Sequence, residues 1–277
     1  MKDQKEVTFQ DLGYQLPVPL AKDKPRPSFA FKTWRMPEEK KMSEIKSRNK
    51  NFGKQVRESF DFMLKEFDGQ SWASLDANTR KLLLNQMPFA NIFYMWIMLR
   101  VDALGEKLLM QDMECPHCQA TISKFEADLM SMEVKCAGLN GNMEVVEYEQ
   151  KACYELKKPM EIGEVLVTKI FHGFTPWDSM ERLPNDAKPN MGLVKEQMLK
   201  SSYLGAGIEG SEKEAQISKE LVLEALSKKD IEGYYVAIDK HNGGPVLAIN
   251  YACPHCEKEV TQGLNWTYDY FFVNSSR

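Results

Sequence analysis

"CPHC" stands at residues 115–118 and again at 253–256, so four of the six cysteines lie in two identical tetrapeptides at an offset of 138. What flanks each motif decides its reading. "QATISKFEADL" (119–129) and "EKEVTQGLNW" (257–266) alternate apolar and polar residues, with β-branched Thr121, Ile122, Val260 and Thr261 early, so each predicts a strand. "KLLMQDME" (107–114) predicts a strand ahead of the first motif. A C-x-x-C in the turn between two strands is a knuckle: it aims two thiolates at one ion, and two knuckles complete a tetrahedron. Gln119 and Glu257 follow the second cysteine, where many knuckles carry Gly, so a left-handed backbone there comes at some cost.

Thiol–disulfide exchange is the competing reading, because Cys-Pro-His-Cys is also the active-site sequence of strongly oxidising thioredoxin-like proteins. There the first Cys sits at a helix N-terminus, whose partial positive charge stabilises the thiolate. The strand-like continuations here lack that βαβ context. Neither knuckle has a second pair nearby, since Cys136 and Cys153 are far apart and have no x-x spacing between them. The simplest closed site therefore joins Cys115, Cys118, Cys253 and Cys256 around one zinc ion. An iron–sulfur centre on the same residues, or reduced cysteines without a metal, stand as alternatives. His117 and His255 lie inside the loops, where a ring turned back on the same ion would be strained, and they read as turn-surface residues. Four thiolates leave no open position, which points to a structural site.

The rest of the chain repeats at nearly the same shift. "YELKKPM" (154–160) matches "YQLPVPL" (14–20), and "TPWDSMERL" (175–183) follows the strand-like "EVLVTKIFHGF" much as "MPEEKKMSEI" follows "SFAFKTWR". "LVLEALSKKDIEGYYVAI" (221–238) echoes "LLLNQMPFANIFYMWIM" (82–98). A near-constant offset with preserved order implies an internal duplication. The expected fold class is α+β in two related halves, 1–150 and 151–277. Each would hold a β-arm, helices and a strand–knuckle–strand unit, and two facing knuckles would present four equivalent thiolates.

Within the first half, Pro37 opens a helix through "EEKKMSEIKSR". Val56, Phe60, Met63, Leu64 and Phe67 form one helical stripe. Ser74 or Asp76 caps "NTRKLLLNQM", and Pro88 and Gly105 bound "FANIFYMWIMLRVDAL". The proline-interrupted "YQLPVPLAKDKPRPSFAF" suggests short strands or an extended arm. "CAGLNGNMEVVEYEQKAC" (136–153) resembles a connector, and "SSYLGAGIEGSEKEAQ" (201–216) reads as a mobile loop.

The composition, 43% apolar and 27% charged, is that of a globular protein. A net charge of −4 argues against a dedicated nucleic-acid binder. Residues 1–58 nevertheless carry 14 Lys and Arg against 8 Asp and Glu, a basic end on an acidic body that could steer a partner. The N-terminus lacks the apolar segment of a signal peptide, and "FANIFYMWIML" (89–99) is too short to span a bilayer. These features place the chain in a reducing cytoplasm, where paired cysteines more often mean metal than disulfide. His117, His172, His241 and His255 show no metalloprotease spacing, and no phosphate loop or nucleophile elbow is present. Phe271 and Phe272 read as core or interface.

The succession "LPVPL…FAFKTWRMPEEKKM", "LLLNQMPFANIFYMWIMLRVDALGEKL" and "ECPHCQATISKFEADL" resembles T-even-type phage baseplate hub subunits and related contractile-tail assembly proteins. The matching positions are Leu99, Arg100, Gly105 and Glu106 ahead of Cys115 and Cys118. "YELKKPMEIGEVLVTKIFHGFTPWD" is similar to the β-hairpin openings of tail-assembly proteins. The resemblance implies a non-enzymatic component of a phage tail baseplate. Its partners would be other tail proteins, with no membrane, small-molecule substrate or nucleic acid. It would occupy the host cytoplasm during assembly and then the virion. The alternatives from other classes are a zinc-ribbon adaptor on nucleic acid and a thiol oxidoreductase.

Overall fold

The computed structural model describes residues 5–20, 26–137, 150–184, 191–211, 214–264 and 272. Its first half begins with β1 (Lys5–Thr8) and the short α1 (Phe9–Leu12), where Thr8 and Asp11 form a reciprocal capping box. β2 (Phe29–Phe31), α2 (Met36–Arg48), α3 (Phe52–Met63), β3 (Leu64–Phe67) and β4 (Gln70–Ser71) follow. Then come α4 (Ala77–Gln86), α5 (Phe89–Leu104), β5 (Lys107–Glu114), β6 (Thr121–Asp128) and β7 (Glu133–Cys136). The second half holds β8 (Ala152–Ile162), β9 (Val165–His172), α6 (Asp178–Glu181), α7 (Met191–Ser202), β10 (Tyr203–Ile208) and β11 (Glu214–Ala215). It ends with α8 (Lys219–Ala225), α9 (Lys228–Asn242), β12 (Gly244–Pro245), β13 (Ala248–Ala252) and β14 (Glu259–Gly263). Helices and several small sheets of antiparallel strands make this an α+β protein.

α5 is the central element. It is apolar all round, and Ala90 through Arg100 are all buried, as such a helix requires. Its start at Pro88 and its end at Gly105 (φ 87°) are those the sequence indicates. Two polar side chains inside the run have specific tasks. Arg100 donates to the Gly105 and Lys107 carbonyls, at 2.6 and 2.8 Å, placing its charge at the negative end of the helix dipole. Asn91 accepts from the Val18 amide and donates to the Val18 carbonyl, both at 2.9 Å. That clamp, with the Arg26 guanidinium on the Leu16, Pro17 and Ala137 carbonyls, folds the opening segment onto the core. Leu16 and Val18 are fully buried there, so the described part of the expected arm is packed.

Corresponding elements of the two halves follow one order. A shift of 139 carries the start of α3 at Phe52 to that of α7 at Met191. The same shift takes β3 at Leu64 to β10 at Tyr203, and α5 at Phe89 to α9 at Lys228. β2–β3–β4 and β9–β10–β11 are antiparallel series with the same neighbours. A strand-like bridge, Gln15 to Ser28, lies close to where Glu155 pairs with Lys169 under that shift. The Asn91 clamp also has a counterpart: the Lys157 amide donates to Asp230 at 3.1 Å, and this pair stands at the same shift from Val18 and Asn91. The halves differ in their helical part, as α6 spans four residues against thirteen in α2.

Two segments depart from their reading. The stripe from Val56 to Phe67 is not one helix: α3 ends at Met63, and Leu64 and Phe67 are the buried ends of the four-residue β3, a spacing of three that imitates a helical one. "YLGAGI" is not loop but β10, an inner strand of the sheet β11–β10–β9–β8. Its glycines hid the strand pattern, and they have a packing cause. A Cβ on Gly205 would meet the Glu214 side chain at 2.3 Å, and one on Gly207 would meet Lys169 at 2.4 Å. Most of the expected 136–153 connector lies outside the described residues, and its first residue, Cys136, closes β7.

Both halves contribute to one apolar core. β12 of the second half pairs with β7 of the first, and Pro88 bridges Pro176. Trp177 fills the junction beside Phe52, Phe89 and Phe93 and donates Nε1–H to the Gly53 carbonyl at 3.0 Å. Gly53 must be Gly, because a Cβ would lie 2.5 Å from the Met180 carbonyl carbon, which is backbone and cannot rotate away. Asn51 donates across the same junction to the Leu183 carbonyl at 2.7 Å. Phe272 stacks on Trp34 (ring centroids 5.4 Å apart) and against Trp96 (5.0 Å), whereas Phe271 lies outside the described residues.

Candidate metal centre

Each CPHC occupies the turn of a two-stranded antiparallel hairpin, β5–β6 for the first and β13–β14 for the second. The turns are built alike. The Gln119 amide donates to the Cys115 carbonyl at 2.8 Å and the Cys115 amide to the Ala120 carbonyl at 3.0 Å. The counterparts are Glu257 to Cys253 at 2.8 Å and Cys253 to Lys258 at 2.9 Å. Gln119 and Glu257 have φ of 59° and 60°, the left-handed conformation expected of knuckles. A residue with a Cβ carries strain there, on the order of 1 kcal/mol. Replacing either by Gly is expected to raise stability by a few tenths to about 1 kcal/mol, because Gly's larger unfolded-state entropy offsets part of the relief. Denaturant midpoints of Gln119→Gly and Glu257→Gly should shift by similar amounts.

The hairpins meet through their inner faces, where Met113, Ile122, Ile249, Tyr251 and Val260 are buried, and Phe125 lies on Tyr251 at 4.6 Å. This packing brings the four expected cysteines together. Cys115 Sγ is 3.8 Å from Cys256 Sγ, Cys118 Sγ is 3.8 Å from Cys253 Sγ, and all four sulfurs lie within 4.8 Å of one another. A tetrahedral ion with metal–sulfur bonds near 2.3 Å has sulfur–sulfur edges of about 3.8 Å. The cysteines are free thiols, and a disulfide needs a sulfur separation of about 2.05 Å. The two short contacts exchange the equivalent cysteines of the two motifs, as a two-fold relation between the knuckles demands.

The electrostatics are those of crowded thiolates. Burial works against ionising Cys115, but the Cys118 and His117 amides and the Cys253 and Cys118 thiols bring its pKa down to about 6. At Cys118 the Ala120 amide favours the thiolate, yet desolvation and the other three thiols prevail and push it up to about 12. The first negative charge is thus easy to place and further ones are hard, until a cation shares the site. The donor set suits zinc or iron equally well. Among the described residues this is the one group of His, Cys, Asp and Glu side chains able to hold a metal.

The other candidate residues lie elsewhere. His117 and His255 are exposed, and His117 Nε2 sits 3.1 Å from the Glu259 carbonyl, tying one knuckle to the strand of the other. Each second cysteine leads into a strand, β6 or β14, and not into a helix. Cys136 is fully buried, with its thiol pushed up to about 12 by burial against the opposing pull of Arg26, so it behaves as core; Cys153 is exposed on β8. The clamps by Asn91 and Asp230 were missed from sequence. A lone Asn within the apolar run 89–99 was the available signal.

His172 is buried, its ring 5.2 Å from that of His241 and 5.7 Å from Tyr234. Burial, then the neighbouring His241, depress its pKa to about 4. Between pH 6.5 and that value the unfolded chain takes up a proton that the folded chain refuses, so stability falls as pH is lowered through this window. The expected loss is on the order of 2 kcal/mol. His172→Phe should flatten the difference between unfolding free energies measured at the two ends of the window.

No helix among the described residues is long and apolar enough to cross a membrane. No protein-family model, characterised protein or solved structure matches the chain.

Proposed function

We propose that the chain is a non-enzymatic assembly component of a phage contractile-tail baseplate, built from two duplicated halves clasped by one zinc ion. The observation that carries the clasp is the meeting of four sulfurs, two from each CPHC, all within 4.8 Å of one another and with both cross-knuckle contacts at 3.8 Å, the edge length of a metal–thiolate tetrahedron. Duplication is supported by the common order of elements, the single shift shared by α3, β3 and α5, and the matching clamps by Asn91 and Asp230. Zinc is the ion of choice because it takes four thiolates without redox change in a reducing compartment. A closed tetrahedron gives substrate no coordination position, so the site's contribution is orientation. It fixes two hairpins, and with them two halves, in one arrangement suited to making contacts.

The tail assignment rests on the resemblance carried by Leu99, Arg100, Gly105 and Glu106 ahead of the first knuckle. Its test is fractionation of phage-infected cells that make the chain. Co-sedimentation with baseplate intermediates, lost when Cys115 and Cys253 are both replaced by Ser, is expected. A chain free of tail proteins that shifts DNA or RNA at about micromolar concentration, with strong salt dependence, would contradict it and favour the zinc-ribbon adaptor.

A further inference from the structure

We propose that the groove between α2, α3 and the start of α4 receives an acidic segment of a partner protein. It is a cavity of about 630 Å³ walled by Lys32, Lys41, Arg48, Arg57, Lys65 and Arg80, with Glu58 and Asp61 as its only acidic lining. Four of these six cations fall within the basic stretch 1–58 of an otherwise acidic chain. A recess in which cations outnumber carboxylates focuses a positive field and draws in the opposite sign.

The cations are partly neutralised, and the manner of it leaves them usable. Arg48 pairs with Glu58, Arg57 with Glu181 and Arg80 with Asp61, contacts that orient the guanidinium groups while N–H donors remain. Among the described residues Lys41 and Lys65 pair only with Glu44 and Glu66, on side chains roughly half exposed, and such pairs exchange readily. Lys32 lies 4.6 Å over the Phe62 ring and donates to the Phe62 carbonyl; among the described residues no carboxylate pairs with it.

The element plan shared by the halves does not require this lining. At the common shift, Glu196 stands for Arg57 and Leu204 for Lys65. A charge arrangement confined to one half points to something that half alone meets.

The floor favours a peptide over a nucleic acid. Trp72 is 2% exposed with its Nε1–H on the Asp61 carbonyl at 3.1 Å, and the Phe62 face is covered by Lys32. No open ring is left on which a base could stack. Carboxylates instead find the planar forks of Arg48, Arg57 and Arg80.

The test is fluorescence anisotropy with a labelled peptide of alternating Glu and Leu, about ten residues long. Binding near micromolar is expected, weakening as salt rises from about 50 to about 300 mM. Lys32→Glu with Lys65→Glu should weaken it at least about tenfold, whereas Lys107→Glu with Lys124→Glu on the β5–β6 hairpin should change it by less than about twofold. Thermal unfolding of both variants verifies that they are folded. Equal loss in both variants, absence of binding at about millimolar peptide, or tighter binding of a single-stranded oligonucleotide of similar length would each overturn the proposal.

Discussion

Replacing Cys115 by Ser is expected to destabilise the chain as much as replacing Cys115 and Cys253 together. On the proposed reading, the four sulfurs within 4.8 Å of one another serve one ion, so losing any ligand opens the whole site and the second loss has nothing left to remove. The effect should be large. A shared ion would join Cys118 to Cys253, which stand 135 apart in sequence, and in the chain-entropy picture a cross-link over a loop of that size contributes about 5 kcal/mol. Chelator should bring the wild-type denaturant midpoint down to that of Cys115→Ser and leave the variant unmoved. A chelator-insensitive wild type would mean that the cysteines act only by packing, and additive losses would mean two independent sites.

Trp177→Ala is expected to cost about as much by an unrelated route. The indole is fully buried and wedged among Phe52, Phe89 and Phe93, and truncating a large aromatic in such a place costs about 3–5 kcal/mol. It also strips the Gly53 carbonyl of its donor, adding about 1–3 kcal/mol if water does not replace it. Because Trp177 enters from the second half and Gly53 from the first, the loss reports on packing between halves. Trp177→Phe should recover roughly half of it in urea unfolding. A loss of under about 1 kcal/mol would mean that Trp177 is dispensable and that the other contacts between the halves, the β7–β12 pairing among them, hold the junction.

The features readable from sequence are those set by local chemistry. Pro88 and Gly105 bracket α5, and both knuckles lie between strands whose alternation is plain. The twin motif at a fixed shift was enough to assemble the four-sulfur cluster from cysteines that are distant in the chain in both cross-knuckle pairs. What escaped depends on neighbours far away in sequence. β10 was hidden because Gly205 and Gly207 make room for Glu214 and Lys169, side chains on adjoining strands. The opening segment read as an arm because its anchors, Asn91 on α5 and the buried Arg26, act through long-range hydrogen bonds that no local pattern encodes. The likeness between the Asn91 and Asp230 clamps emerges only when their partners, Val18 and Lys157, are seen in place.

The most direct measurement is the metal content of the intact chain, by elemental analysis and native mass spectrometry of protein purified under reducing conditions. One zinc per chain, lost entirely in Cys115→Ser, is the expected result. Two ions per chain, or none together with a Cys115–Cys118 or Cys253–Cys256 disulfide, would contradict a single clasp shared by the two knuckles.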